Sequence, residues 1–173
     1  MNHNKFDQNG FTLIEVIVVF AIIAILSVIG VASFVSYSRI QTIESAATEI
    51  SSYLVIAKSR AISQVKPTAQ IAQCDASSIL DGYRVIICPT SSSDILCNAA
   101  DTYVLGVRCS NVDYRLQSGV LPKNVTYNPS PTSTSFFFPV ISSGVKGSGV
   151  ISLSGYGYLK TITIDTVGGI QVQ

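Results

Sequence analysis

The chain has 173 residues, of which 47% are hydrophobic and only 12% charged, with a formal net charge of +1. Soluble domains usually carry about 25% charged residues, so much of this chain is built for an apolar setting or draws its polarity from Ser and Thr. The near-neutral balance argues against broad attraction to nucleic acid or to an anionic membrane, and the length suits one membrane helix and one compact domain.

Residues 1–10 form a short polar stretch ending in Gly10. Phe11-Thr12-Leu13-Ile14-Glu15-Val16 follows, and no charged residue occurs from Val16 to Ser38. Val16 to Leu26 is apolar without a break. Roughly 20 apolar residues cross the ~30 Å hydrocarbon layer as a helix, so this segment can span a membrane. Glu15 stands one turn inside it, where a carboxylate is costly. It is either a headgroup-level residue at the end of an anchor or a buried charge that needs a cation.

The order of a polar leader, Gly10, Phe11-Thr12-Leu13-Ile14-Glu15-Val16 and an apolar helix closely resembles the N-terminal signature of the type IV pilin family. That family includes type IV pilins and the pseudopilins of type II secretion. The resemblance implies that a prepilin peptidase cuts between Gly10 and Phe11 and methylates the new N-terminus at Phe11. It also implies that Glu15 is the assembly residue, pairing with the N-terminal amine of a neighbouring subunit. The cut precedes the apolar segment, unlike that of a secretory signal peptide, so the anchor stays on the mature protein. Two features differ from many relatives: Lys5 is the only Lys or Arg of the leader, balanced by Asp7, and Gly30 stands close to where a helix proline is common.

From Arg39 the pattern turns amphipathic. Ile40, Ile43, Ala47, Ile50, Leu54, Ala57 and Ala61 make one face, with Gln41, Glu44, Ser45, Thr48, Ser51, Ser52 and Lys58 away from it. The spacing predicts one helix from about Thr12 to Gln64, some 80 Å long, stopped by Pro67, with its second half covering a sheet. Ala57 to Gln64 also resembles the end of this helix in the GspH/FimT-like minor subunits.

Beyond Pro67 the chain reads as strands and turns. Candidate strands are Gly82–Cys88, Thr102–Cys109, Val112–Gln117, Val120–Tyr127, Ser135–Val140, Gly149–Ser154, Tyr158–Asp165 and Gly168–Val172. The alternation in Lys160-Thr-Ile-Thr-Ile-Asp suits a sheet with one wet face. Residues 128–135 read as a loop with little reason to order tightly. The closing strands again look like those of GspH/FimT-like subunits. The expected fold is α+β and pilin-like: a long N-terminal helix packed on a mainly antiparallel β head. Its segments are a leader (1–10), an anchoring half-helix (11–38), an amphipathic half-helix (39–65) and a head (66–173).

Four cysteines, Cys74, Cys88, Cys97 and Cys109, lie beyond the apolar segment, on the side the topology places outside the cytoplasm. An even count there favours disulfides, with three connectivities open. If the segments ending at Cys88 and starting near Thr102 form a hairpin, the nested pairing Cys74–Cys109 with Cys88–Cys97 follows. A zinc site lacks support, because no Cys-x2-Cys pair is present. Catalysis lacks it too, because the one histidine, His3, lies in the leader. No Asp-x-Asp-x-Asp pattern points to calcium, so no cofactor and no metal site is read.

The reading is a structural subunit, a minor pilin or pseudopilin, and not an enzyme. Its partners are other pilin or pseudopilin subunits, the prepilin peptidase, and the inner membrane with its assembly platform. It would sit as a single-pass inner-membrane protein with its head outside the cytoplasm, then in an extracytoplasmic filament. The alternative is a filament-tip module for DNA uptake or adhesion. DNA capture needs clustered Lys or Arg, and the last ~30 residues hold only Lys146 and Lys160.

Overall fold

The computed structural model describes residues 12–67, 71, 74–75, 77–89, 94–128, 130–142 and 144–173, and within them no side chain at 28–30 or 32. The chain divides into two compact units that meet between Arg39 and Ile40. Helix α1, Leu13–Ile62, contributes to both.

Thr12 caps the start of α1. Its carbonyl and its Oγ1 accept from the Glu15 N–H at 3.1 and 3.3 Å, which satisfies a donor that the first turn otherwise leaves orphaned. The helix closes three residues before Pro67 begins to forbid it. Gln64 takes a left-handed conformation (φ 53°), and the N–H groups of Gln64 and Val65 return to the carbonyls of Ala61 and Arg60. This is a Schellman closure, with Gln where glycine is usual.

In the second unit the helical stripe is the seam of the core. Ile43, Ala47, Ile50, Leu54, Ala57 and Ala61 are buried, and Ala46 and Tyr53 widen the face. Two four-stranded antiparallel sheets enclose it. One has the order β3-β2-β1-β5, from β1 (Leu80–Ile87), β2 (Tyr103–Cys109), β3 (Val112–Gly119) and β5 (Ser135–Pro139). The other has the order β4-β6-β7-β8, from β4 (Thr126–Tyr127), β6 (Gly149–Gly155), β7 (Tyr158–Ile164) and β8 (Ile170–Val172). Alternate residues face inward, as the strand period requires. Tyr83, Val85 and Ile87, Leu105 and Val107, Phe136 and Phe138, Ile151 and Leu153, and Ile162 and Ile164 join the helix in one continuous core. The fold is α+β, a helix packed on antiparallel sheets.

Two expectations need correction. The strand read over Val120–Tyr127 is reduced to β4, Thr126–Tyr127. Pro122 has no N–H to give a ladder, and the chain turns at Asn124 (φ 68°), where the Val125 N–H closes onto the Pro122 carbonyl at 3.0 Å. The segment read as a loose loop is a loop, but its Asn128 and Thr132 are tied to β6. The Asn128 N–H donates to Ser152 O at 3.0 Å, and Thr132 Oγ1 accepts from the Val150 N–H at 2.9 Å.

Tyr103 shows how closely helix and sheet are fitted. Its ring meets Tyr53 edge-on with centroids 5.1 Å apart, and its hydroxyl hydrogen-bonds the Glu49 carboxylate. Burial, and then Glu49, push that phenol far above its ordinary range. Across the ladder lies Gly119, where a Cβ would stand 2.2 Å from the Tyr103 hydroxyl oxygen. Only glycine leaves room for the ring.

Candidate functional site: the N-terminal segment and the stapled head

Unit one holds the functional candidate Glu15. The proposed processing residues, Gly10 and Phe11, and the leader lie outside the described residues. Glu15 is the acidic residue of the first helical turn, where the helix dipole favours negative charge. Among the described residues none meets its carboxylate. Ile17, Val18, Val19 and Phe20 occupy four consecutive positions and so all sides of the helix, and they are 49–67% exposed. A helix that is apolar all round needs lipid or other helices about it.

Among the described residues no helix is long and apolar enough to cross a membrane. In this part of α1, side chains are described without interruption only from Thr12 to Ser27. The sequence carries the apolar pattern on through Val28, Ile29 and Val31.

In the head, Cys74 is bonded to Cys109 and Cys88 to Cys97, with Cα separations of 5.7 and 5.8 Å. The pairing is the nested one. It follows from the β1–β2 hairpin, in which Ile87 faces Tyr103 and the Cys88 N–H donates to Thr102 O at 2.8 Å. On the outer face of this sheet Ile86, Cys88, Leu96 and Val104 form a second, smaller cluster, with Cys97 packed against it. Cys74–Cys109 ties the segment after the helix to the end of β2. Lys66 Nζ supports the same segment by donating to the carbonyls of Asp75 and Ser78, and the Tyr83 hydroxyl donates to Val65 O. With both pairs bonded, no free cysteine is present. Among the described residues no group of three or more His, Cys, Asp or Glu is placed to hold a metal.

The outer face of the first sheet carries an ion network that the sequence reading missed. Arg84 reaches Asp94 and Asp113, each at 2.9 Å, and donates through Nε to Ser135 Oγ at 2.7 Å. Arg108 grips Asp113 with two bonds of 2.8 and 2.7 Å and stacks 5.1 Å from the centroid of Phe137. Arg115 lies 2.7 Å from Asp101, an ion pair without hydrogen-bond alignment at Nη1, while Nη2 donates to the same carboxylate at 2.9 Å. The Arg108–Asp113 pair was within reach of the sequence. The Ser110-Asn111 turn has both residues at positive φ, and it sets the two directly opposite each other. Because these arginines are neutralised by neighbouring aspartates, the face does not offer the unpaired basic cluster that DNA capture would need.

Burial pushes the Asp113 carboxyl up, but the hydrogen bonds and charges of Arg108 and Arg84 outweigh it and hold the group below its ordinary range. A folded-state value below the unfolded one stabilises the fold above the unfolded pKa, and this contribution is lost as pH falls through the folded one. Unfolding free energy measured against pH should therefore drop below about pH 4. Asp113→Asn should flatten that drop and lower stability at neutral pH.

Comparison with known proteins adds one finding. Residues 5–31 match the family model described as the prokaryotic N-terminal methylation motif. The match takes in the stretch from Lys5 to Gly10, Phe11 and Glu15, and supports a type IV pilin-like subunit that is processed by prepilin peptidase and assembles with other pilin subunits. No curated protein and no solved structure is found to match the chain.

Proposed function

We propose that the chain is a prepilin-type precursor of a minor pilin or pseudopilin, of the GspH/FimT-like kind, serving a type IV pilus or a type II secretion pseudopilus. Residues 1–10 are the leader, removed between Gly10 and Phe11, and Phe11 is then methylated. Residues 11–38 cross the inner membrane once, 39–65 carry the seam of the head, and 66–173 form the head outside the cytoplasm. The chain works as a structural subunit and not as an enzyme.

The observation that carries this reading is the motif-bearing helix itself. It is apolar on all sides, and its acidic residue lies in the first turn, beside the point where processing would create an amine. A carboxylate in an apolar setting is tolerable when a cation meets it. The N-terminal amine of the next subunit supplies one as the helices leave the membrane and pack together.

Glu15→Gln tests this role. The variant removes the charge and keeps the size. It should still be cut and still be found in the membrane, but its recovery in sheared filaments should fall to background. Wild-type recovery of Glu15→Gln in filaments would remove Glu15 from assembly.

A further inference from the structure

The head carries an aromatic tip that filament assembly through the helix leaves unused. β6 and β7 are joined by the turn Tyr156-Gly157, which closes the pair Gly155–Tyr158. Both turn residues have positive φ, 52° and 84°. Such turns favour Asn or Gly at the first position, and a bulky residue there is held against a backbone cost. This chain holds a tyrosine there. Tyr156, Tyr158 and Leu159 are 39%, 42% and 58% exposed. The Tyr156 hydroxyl donates to the carbonyl of Lys123 at 3.3 Å, on a loop that also exposes Val120.

Two contacts fix which end of the head this tip occupies. Lys160 Nζ lies 3.2 Å from Glu44, near the start of the helical seam. Lys58 Nζ donates to Gly168 O at 2.8 Å, near its end. Strand β7 therefore runs in the same direction as the helix it covers. The Tyr156-Gly157 turn precedes Lys160 by three to four residues, so it reaches about 10 Å beyond Glu44. Ile40, where the chain enters this unit, lies about 6 Å before Glu44 along the helix. The tip thus stands at the end of the head from which the chain leaves for the apolar segment.

We propose that Tyr156, Tyr158 and Leu159 seat in the headgroup layer of the membrane that holds the anchor, and so orient the head until the subunit is withdrawn into a filament. This rests on the single-pass reading given above. Tyrosine favours the membrane–water boundary, with its ring in the apolar layer and its hydroxyl wet. Leu159 adds apolar surface, and the long stem of Lys123 lets its charge stay in water beside it, while the Lys160 charge is met by Glu44. The occupant is a bilayer because the anchor tethers this end of the head to one, at a high effective concentration that lets a weak contact form. The contact rests on aromatic and apolar burial.

The chain contains no tryptophan, so one introduced tryptophan reports alone. The test uses the full chain in phosphatidylcholine vesicles whose acyl chains are brominated near the headgroups. Three variants carry the reporter: Phe20→Trp in the anchor, Tyr158→Trp at the tip, and Val167→Trp in the exposed turn beside Gly168. The expected result is that Phe20→Trp and Tyr158→Trp lose most of their emission to bromine, that Tyr158→Trp is blue-shifted, and that Val167→Trp keeps a water-like spectrum. If Phe20→Trp is quenched while Tyr158→Trp behaves like Val167→Trp, the tip proposal is overturned and the anchor stands. If Phe20→Trp is not quenched, the anchor reading falls and this proposal with it. A Tyr158→Trp blue shift that grows with protein-to-lipid ratio and is not quenched would place a second copy of the chain on the tip, which also overturns it.

Discussion

Serine at both Cys74 and Cys109 should lower the unfolding free energy of the head by about 4 kcal/mol, against about 2.5 kcal/mol for serine at Cys88 and Cys97. The difference follows from loop length. The first bond closes a separation of 35 residues and the second one of 9, and the restriction of the unfolded chain grows with the logarithm of that number. Domains of this size hold only about 5–15 kcal/mol in total, so the first variant sits near the edge of folding. Its structural consequence is local. Released from Cys109, the segment after the helix loses its covalent tie to β2 and is held by the burial of Ile71 and by hydrogen bonds, among them those of Lys66 to the Asp75 and Ser78 carbonyls and of Tyr83 to Val65. Urea unfolding of the detergent-solubilised chain, wild type against each double variant, measures both losses. Equal losses would show that loop closure is not what these bonds contribute.

Leu54→Ala should cost about 2–5 kcal/mol, because the site is enclosed by helix and sheets and cannot collapse around a missing isobutyl group. Leu54 is fully buried in the seam, whereas its neighbour Val55 is 53% exposed. Val55→Ala should change stability by less than about 0.5 kcal/mol. The contrast between adjacent residues separates packing from helix propensity, since alanine is the best helix former at either position. Unfolding midpoints of the two variants in the same detergent give the answer. Similar losses at both would mean that the stripe is not the core face.

The seam was legible because its residues recur at three- and four-residue intervals, which only a helix turns into one face. Most strands were legible from alternation and turn residues. What escaped had physical reasons. The helix end was read to within two residues from Pro67, but the left-handed turn at Gln64 that makes it was not, because glutamine does not announce a conformation that favours glycine. Pro122 and Asn124 cut a strand-like stretch down to two residues. Thr132 supplies from its side chain a hydrogen bond that orders a segment whose composition reads as loop. Division into two sheets depends on which strands pair across long separations, such as β5 beside β1, and single-chain periodicity does not encode that.

The candidate site divides in the same way. Gly10, Phe11 and Glu15 could be read together because they lie in one short contiguous motif, which the family match covers; their processing and assembly roles are those proposed above. The disulfide pairing was legible through one hairpin. The ion network of Arg84, Asp94, Arg108 and Asp113 was not legible as a whole, because it joins three strands and the loop between the first two.

The central claim is that this chain is a processed, filament-forming subunit, and its N-terminus tests that most directly. Intact mass and N-terminal analysis of the protein from its native membrane should show a chain beginning at N-methylated Phe11. The same mass should be lower by two hydrogens for each of the two disulfides. A chain that still begins at Met1 in cells with an active prepilin peptidase would contradict the account and leave a β-rich head behind an uncut apolar helix.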